Sequence, residues 1–242
     1  STRRCRTLRF LNITISGEIM AENVILVAGN ICAGKSEFVK YVKKLSADVI
    51  VPEFIDPEAL VLFYRDRKAY SEIFEDSCVT GRIVRHMKLK HESGRHWIDR
   101  GIVEGAETFC RNSFLEGYLS HEAFQRYTDK IKRSFDQLDR TQQQSWLEQL
   151  VVYLKVADPE ILQERQRKRS TKGENIPLPY LKRINDLYEE LFSRIRDVYA
   201  GYGVQAPHVI TIDASVDFKH DTGYHQRILT QMLQVMEGEA RV

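Results

Sequence analysis

Residues 23 to 36 read N-V-I-L-V-A-G-N-I-C-A-G-K-S. The run from Asn23 to Ala28 is apolar and rich in β-branched side chains, which suits a buried strand ended by Gly29. Gly29 to Ser36 then matches GxxxxGK[ST] at every fixed position, and the residues from Gly34 to Leu45 read as a helix. In such a strand–loop–helix, the backbone N–H groups of Gly29, Asn30, Ile31, Cys32, Ala33 and Gly34 turn inward around phosphate oxygens. Lys35 reaches the β/γ-phosphates, and the Ser36 hydroxyl can ligate Mg²⁺ at the helix N-terminus. A glycine-rich turn that merely shares the pattern is the alternative. The match points to a nucleoside triphosphate site and leaves open what the phosphate is used for.

Outward from this loop, strands and helices alternate. Further strands are expected at 48–52, 96–99, 151–156 and 209–213, each nearly all apolar. Helices fit 57–63, 69–91, 101–117, 120–138, 159–169, 177–200 and 217–236. The alternation predicts an α/β fold in which a parallel sheet is covered on both faces. Ligands of such sheets bind at the carboxyl ends of the strands, so the residues just after each strand matter most.

The 242 residues suit one domain, taken as 21–242. Residues 1–20 carry Arg3, Arg4, Arg6 and Arg9 with no acid before Glu18, and are set aside as a targeting segment, an expression artefact or a disordered arm. At 43% hydrophobic and 29% charged residues the chain can build a core, and a net charge of +2 with mixed signs predicts no nucleic-acid partner. Cys5, Cys32, Cys78 and Cys110 form no CxxC pair, which reads as reduced thiols in an intracellular protein, cytoplasmic or organellar. No apolar run nears the ~18 residues of a membrane span, so no membrane partner is expected.

The second strand ends in V-P-E and the third in D-R-G, which puts Glu53, Asp99 and Arg100 at the sheet's carboxyl edge. Phosphoryl transfer needs a carboxylate near the attacking hydroxyl, a second acid near Mg²⁺ and cations on the transferring group. A helix cap at Glu53 and a structural Asp99/Arg100 pair are the plainer alternatives. After the fourth strand comes E-R-Q-R-K-R, in which Arg165 and Arg169 share a helix face, followed by the polar loop S-T-K-G-E-N-I-P-L. This reads as a lid, about 165–176, that closes over a nucleotide, against the alternative of a solvated basic face. The stretch F-E-D-S-C-V-T-G-R, 74–82, places Glu75, Cys78, Val79 and Arg82 on one helix face, either as a wet surface pair or facing a pocket.

These motifs together resemble the deoxynucleoside kinases, the family of the deoxycytidine and deoxyguanosine/deoxyadenosine enzymes. The resemblance runs from Asn23 to the last helix and rests on G-N-I-C-A-G-K-S, V-P-E, the stretch Leu62 to Arg85, D-R-G, D-P-E-I-L-Q-E-R-Q-R-K-R, I-P-L-P-Y-L and V-I-T-I-D-A-S-V-D-F-K, in that order. It implies a P-loop kinase fold with a five-stranded parallel sheet, an arginine-bearing lid, ATP and Mg²⁺ as donor and cofactor, a deoxynucleoside acceptor and a homodimer. It implies that Glu53 is the general base, that Arg100 orients it, that Asp99 lies near Mg²⁺, and that Lys35, Arg165 and Arg169 hold phosphates. By the same resemblance Tyr64 and Glu174 contact the sugar 3′-hydroxyl, and Phe74 lines the base pocket beside Glu75 and Arg82.

Three departures stand out. Gly101 replaces the family's serine, Gly105 replaces an acid near the base (with Glu104 and Glu107 flanking), and Thr171 stands where a third lid arginine is expected, with Lys172 beside it. Glu75 occupies the place of a base-reading glutamine. An ionised carboxylate offers only acceptors and so favours adjacent donors, as on guanine, rather than the mixed edges of adenine or cytosine. A neutralised Glu75–Arg82 pair, or a protonated Glu75 reading a pyrimidine, are the competing readings. Two other functions are weighed: a nucleoside monophosphate kinase using Arg82 or Arg85 on the acceptor phosphate, and a nucleotide-binding scaffold without turnover.

Overall fold

The computed structural model describes residues 24–45, 48–89, 94–138, 147–169, 176–216, 221 and 223–230. The expected strands form β1 (Val24–Ala28), β2 (Val49–Val51), β3 (His96–Asp99), β4 (Leu150–Lys155) and β5 (His208–Asp213). All pair in parallel, in the order β2-β3-β1-β4-β5. β1 lies in the middle and is buried along its whole length, which is why its sequence carries no polar alternation. The architecture is a five-stranded parallel α/β sheet flanked by helices, as the resemblance implies.

The helices follow the sequence expectations with local differences. They are α1 (Lys35–Leu45), α2 (Pro57–Arg65), α3 (Arg67–Leu89), α4 (Ile102–Gly105), α5 (Arg111–Leu115), α6 (His121–Asp136), α7 (Pro159–Arg169), α8 (Leu178–Ser193) and α9 (Ile195–Gly201). A further helical stretch covers 224–230, so the expected closing helix 217–236 falls partly outside the described residues. Asp56 starts α2 by accepting from the Glu58 and Ala59 N–H groups, with Pro57 in the first turn. The single helix expected over 101–117 is α4 and α5 joined by a π-helical turn, Ala106–Cys110. The helix expected over 177–200 breaks at Arg194, which divides α8 from α9.

Packing explains which helix faces the site. The main core joins β1, β4 and β5 to Phe38, Val39 and Val42 of α1 and to Leu181, Ile184 and Tyr188 of α8. A second core joins Val79 of α3 to Ile102 and Val103 of α4, to Ile131 and Phe135 of α6, and to Tyr199 of α9. On α6, Ala123, Tyr127, Ile131 and Phe135 make one buried stripe at four-residue spacing. The buried face of α3 is different, because it contains Ser71, Glu75, Arg82 and His86 as well as Cys78, Val79 and Leu89. Burying so many polar groups on one face is costly unless partners or a ligand meet them. Among the described residues no helix is long and apolar enough to cross a membrane.

Candidate active site

Register places the functional strand ends together. Val27 of β1 pairs with Asp99 of β3, and Val51 of β2 pairs with Ile98. Gly29, Glu53 and Arg100 therefore leave neighbouring strands at one edge of the sheet. Arg85 of α3 fastens that edge, donating to the carbonyls of Pro52, Asp99 (3.4 Å) and Arg100 (2.6 Å). Arg100 has φ +70°, a conformation that costs a non-glycine residue energy and is held here by its side-chain contacts.

Those contacts are dense. Arg100 Nε donates to Glu53 Oε1 at 2.5 Å, and Nη1 donates to the Tyr188 hydroxyl at 2.9 Å. The Phe109 ring lies 4.0 Å from the guanidinium carbon. Burial opposes ionisation of Glu53, but Arg100, Lys35 and Arg82 outweigh it and hold the carboxyl below its usual range. Glu53 is thus an anion that keeps an exposed share of surface, its side chain being 22% accessible.

In the phosphate loop, Lys35 Nζ donates to the carbonyls of Gly29 and Asn30, both at 3.0 Å. Burial and the nearby Arg100 lower its pKa. Gly29 has φ +148°, and a Cβ there would approach Leu154 O to 2.8 Å, so only glycine fits. Ser36 Oγ donates to Asp99 Oδ2 at 2.9 Å, while Asp99 Oδ1 is buried with no partner among the described residues. A hydroxyl beside a buried, half-satisfied carboxylate fits a hard cation that keeps waters and phosphate oxygens as its other ligands.

A cavity of about 640 Å³ runs from this edge, and the sequence-predicted residues Lys35, Ser36, Glu53, Tyr64, Phe74, Glu75, Arg82, Arg100 and Arg169 all line it. Glu75 and Arg82 therefore share a face that looks into a pocket. Glu75 is 2% exposed and accepts a hydrogen bond from Ser113 Oγ at 2.7 Å. Burial raises its pKa to about 7, against the pull of Ser113, Arg82 and Arg100. Arg82 Nη2 lies 3.6 Å from Glu53 Oε1, while its Nε and Nη1 are buried without acceptors among the described residues. Leaving such donors unmet costs about 1–3 kcal/mol each, a cost that a ligand's acceptors would remove.

Arg165 is arranged differently from the sequence expectation that it points with Arg169 at one phosphate chain. It donates to the carbonyls of Ala214 (2.8 Å), Val216 (2.6 Å) and Cys32 (3.5 Å), tying the loop after β5 to the phosphate loop. The i, i+4 pattern gives the shared face of the helix but not these carbonyl partners. Glu174, Thr171 and Lys172, and with them half of the expected lid, lie outside the described residues.

At two of the three departures, Gly101 and Gly105, neighbours fill the space a side chain would take. A Cβ on Gly101 would come within 2.9 Å of Leu26 Cδ2 and 3.2 Å of Glu148 Oε1. A Cβ on Gly105 would come within 2.1 Å of Arg82 Nη1. Glu104 turns inward and accepts from the N–H groups of Gly101 (2.8 Å) and Gly29 (3.5 Å). Sequence reasoning passed over Phe109, Ser113, Tyr180 and Tyr188 and gave Glu104 no role. Glu104 had a legible signal, the third position after a helix-starting Gly101, which is capping-box spacing. Phe109 and Ser113 depend on the π-turn, which shifts the helix register and is written nowhere in the periodicity.

The profile of the deoxynucleoside kinase family matches residues 25–237. A deoxyguanosine kinase of Dictyostelium discoideum is 24% identical over 183 residues, a match covering 72% of this chain and 60% of the relative's length. The family match extends from the first strand past the last described helix and includes the phosphate loop, Glu53, Arg100 and the cavity residues. The chain belongs to the deoxynucleoside kinase family.

Proposed function

We propose that this protein transfers the γ-phosphoryl group of ATP to the 5′-hydroxyl of a deoxynucleoside, with a guanine-type base preferred. The observation that carries the proposal is a single cavity with Glu53, held by Arg100, at the phosphate-loop end and Glu75 with Arg82 further in. Glu53 accepts the proton of the attacking hydroxyl, and Arg100 fixes the direction of that carboxylate. Lys35 and Arg169 hold donor phosphates, and the loop N–H groups cradle them. Ser36 and Asp99 would hold Mg²⁺, which would supply charge neutralisation on the transferring phosphates. Catalysis on this reading is positioning and charge stabilisation more than covalent chemistry.

Tyr64 and Phe74 line the acceptor cavity, and Phe63 stacks on Phe74 at 4.5 Å between centroids. An ionised Glu75 accepts two adjacent donors of a guanine edge, and the unmet Arg82 donors meet the neighbouring carbonyl. The relative named deoxyguanosine kinase is consistent with that preference. Glu174 is proposed to share the sugar contact once the lid closes. We further propose an intracellular homodimer, with α3 and α6 near the subunit contact. A monophosphate kinase is less well supported, because Arg85, one of its two candidate phosphate ligands, already donates to three backbone carbonyls.

The test is to incubate the protein with Mg²⁺–ATP and a panel of nucleosides and monophosphates and to follow ADP release. Release with deoxyguanosine above the other deoxynucleosides is expected, and deoxyguanosine as the poorest substrate overturns the base assignment. Release with no member of the panel overturns the kinase reading and favours a nucleotide-binding scaffold. Near-full activity in Glu53→Gln removes the general-base role.

A further inference from the structure

One stripe of α8 meets two successive residues of the phosphate loop. Leu181, Asn185 and Tyr188 sit at i, i+4 and i+7 on this helix and so share a face. Asn30 donates its side-chain amide to Leu181 O (2.9 Å) and to Asn185 Oδ1 (2.6 Å), and Asn185 donates to Val156 O at 2.7 Å. Three residues on, the Tyr188 hydroxyl is fully buried and lies 2.8 Å from Gly29 O. The same hydroxyl is hydrogen-bonded to the Glu104 carboxylate and accepts from Arg100 Nη1 at 2.9 Å.

This hydroxyl has one proton and two acceptors. The charged Glu104 carboxylate is the stronger of them, and Gly29 O keeps its bond from Lys35. Arg100 Nη1 carries two N–H groups and also donates to Glu104 Oε1, at 3.4 Å, so Tyr188 and Glu104 share this nitrogen and loss of the hydroxyl leaves Glu104 pulling on it alone. The far side of that guanidinium is Nε, the group that holds Glu53. A planar guanidinium fixed at two edges cannot swing, whereas one released from Tyr188 is drawn toward Glu104 and away from Glu53.

We infer that Tyr188 is a positioning residue whose hydroxyl, bonded to the Glu104 carboxylate that accepts from the Gly29 N–H of the phosphate loop, locks the Arg100 guanidinium against Glu53, so that the loop and the carboxylate are aligned together. The inference rests on the kinase reading above. Tyr188 is not among the residues lining the acceptor cavity, so its loss acts through Arg100 rather than on nucleoside affinity.

The test is Tyr188→Phe, alone and with Glu104→Gln. The single variant should lower kcat roughly tenfold or more while nucleoside KM stays within about twofold. The acid limb of kcat/KM should move to higher pH, because Glu53 loses part of the cation that holds its carboxyl down. Adding Glu104→Gln removes the competing charge and should restore kcat by about threefold or more, an effect that general weakening of the fold would not produce. A kcat within twofold of the parent with an unmoved acid limb overturns the inference, as does a further fall in the double variant. Crystal structures of the two variants decide it without turnover. Arg100 Nε should lie beyond hydrogen-bond reach of Glu53 in Tyr188→Phe and return in the double variant, and an unbroken 2.5 Å bond in Tyr188→Phe overturns the inference even if the parent phosphorylates no nucleoside.

Discussion

Arg82 lies across the backbone of Gly105, where a Cβ would come within 2.1 Å of Nη1 and 2.7 Å of Cζ. The missing side chain is the seat of the guanidinium. Gly105→Ala must displace Arg82, since the clash is with its charged head and α3 is fixed by Val79 and Leu89 on the same buried face. On the proposed reading, deoxyguanosine KM should rise roughly tenfold or more, the scale expected for losing a buried polar contact, while ATP KM holds within about twofold. Initial-rate kinetics with each substrate varied would check this. An unchanged deoxyguanosine KM means that Arg82 does not meet the base.

Glu75 should make base preference depend on pH. With its pKa raised to about 7 by burial, the carboxyl is largely protonated at pH 6 and largely ionised at pH 8. The neutral form offers one donor and one acceptor, like an amide, whereas the ionised form offers acceptors alone. The ratio of kcat/KM for deoxyguanosine over deoxyadenosine should therefore climb through this range. In Glu75→Gln the ratio should be lower and flat with pH. A wild-type ratio that does not move would remove Glu75 from base reading.

The same group makes a stability prediction that needs no substrate. Its folded pKa is raised above the ordinary 4.5, so the folded chain holds a proton that the unfolded chain has lost between those values. Stability from this group is therefore present in full below pH 4.5 and falls as pH rises to about 7, by an amount of order 3 kcal/mol. Glu75→Gln carries no such loss. Urea unfolding should show the variant gaining on the parent from pH 5 to pH 8, and a constant difference would mean that the carboxyl titrates normally.

Arg165 and Arg169 share a helix but not surroundings, and their variants should separate. Arg169 lines the cavity, so Arg169→Ala should lower kcat by about a hundredfold, as for loss of a phosphate-stabilising cation. Arg165 ties backbone carbonyls of two loops together, so Arg165→Ala should chiefly raise ATP KM and loosen the loop after β5. Hydrogen exchange at Ala214 to Val216, read beside the kinetics, distinguishes the two. Equal losses of kcat with protected loop amides would return Arg165 to the phosphates.

What could be read in the sequence follows from the range of the signal. Gly29 to Ser36 is local: strand, turn and helix lie within one window, and their geometry needs no distant partner. The apolar runs of β1, β3 and β4 likewise point to the parallel sheet, because burial on both faces removes polar alternation, whereas the edge strand β5 alternates between exposed and buried residues. Glu53 and Arg100 were found by combining strand ends with the rule that ligands sit there. Tyr188 was not, since it touches Gly29 and Arg100 across 159 and 88 residues of sequence. Phe109 was hidden by the π-turn, and the carbonyl partners of Arg165 by a loop packing that no helix period encodes.

Gly101 tests whether such filling is obligatory. Gly101→Ser, the change the resemblance suggests, looks conservative, yet Leu26 Cδ2 and Glu148 Oε1 already occupy the space, 2.9 and 3.2 Å from where the new Cβ would stand. Leu26 is 1% exposed in the central strand, and Glu148 is a buried acid whose Oε1 also accepts from Tyr199 at 2.6 Å, so neither can step aside freely. Overpacking of this kind typically costs about 1–3 kcal/mol. The variant should lose that much in denaturant unfolding, and Leu26→Ala added to it should cost less than Leu26→Ala alone. Additive losses would show that Leu26 yields on its own and that the glycine is not required by the space.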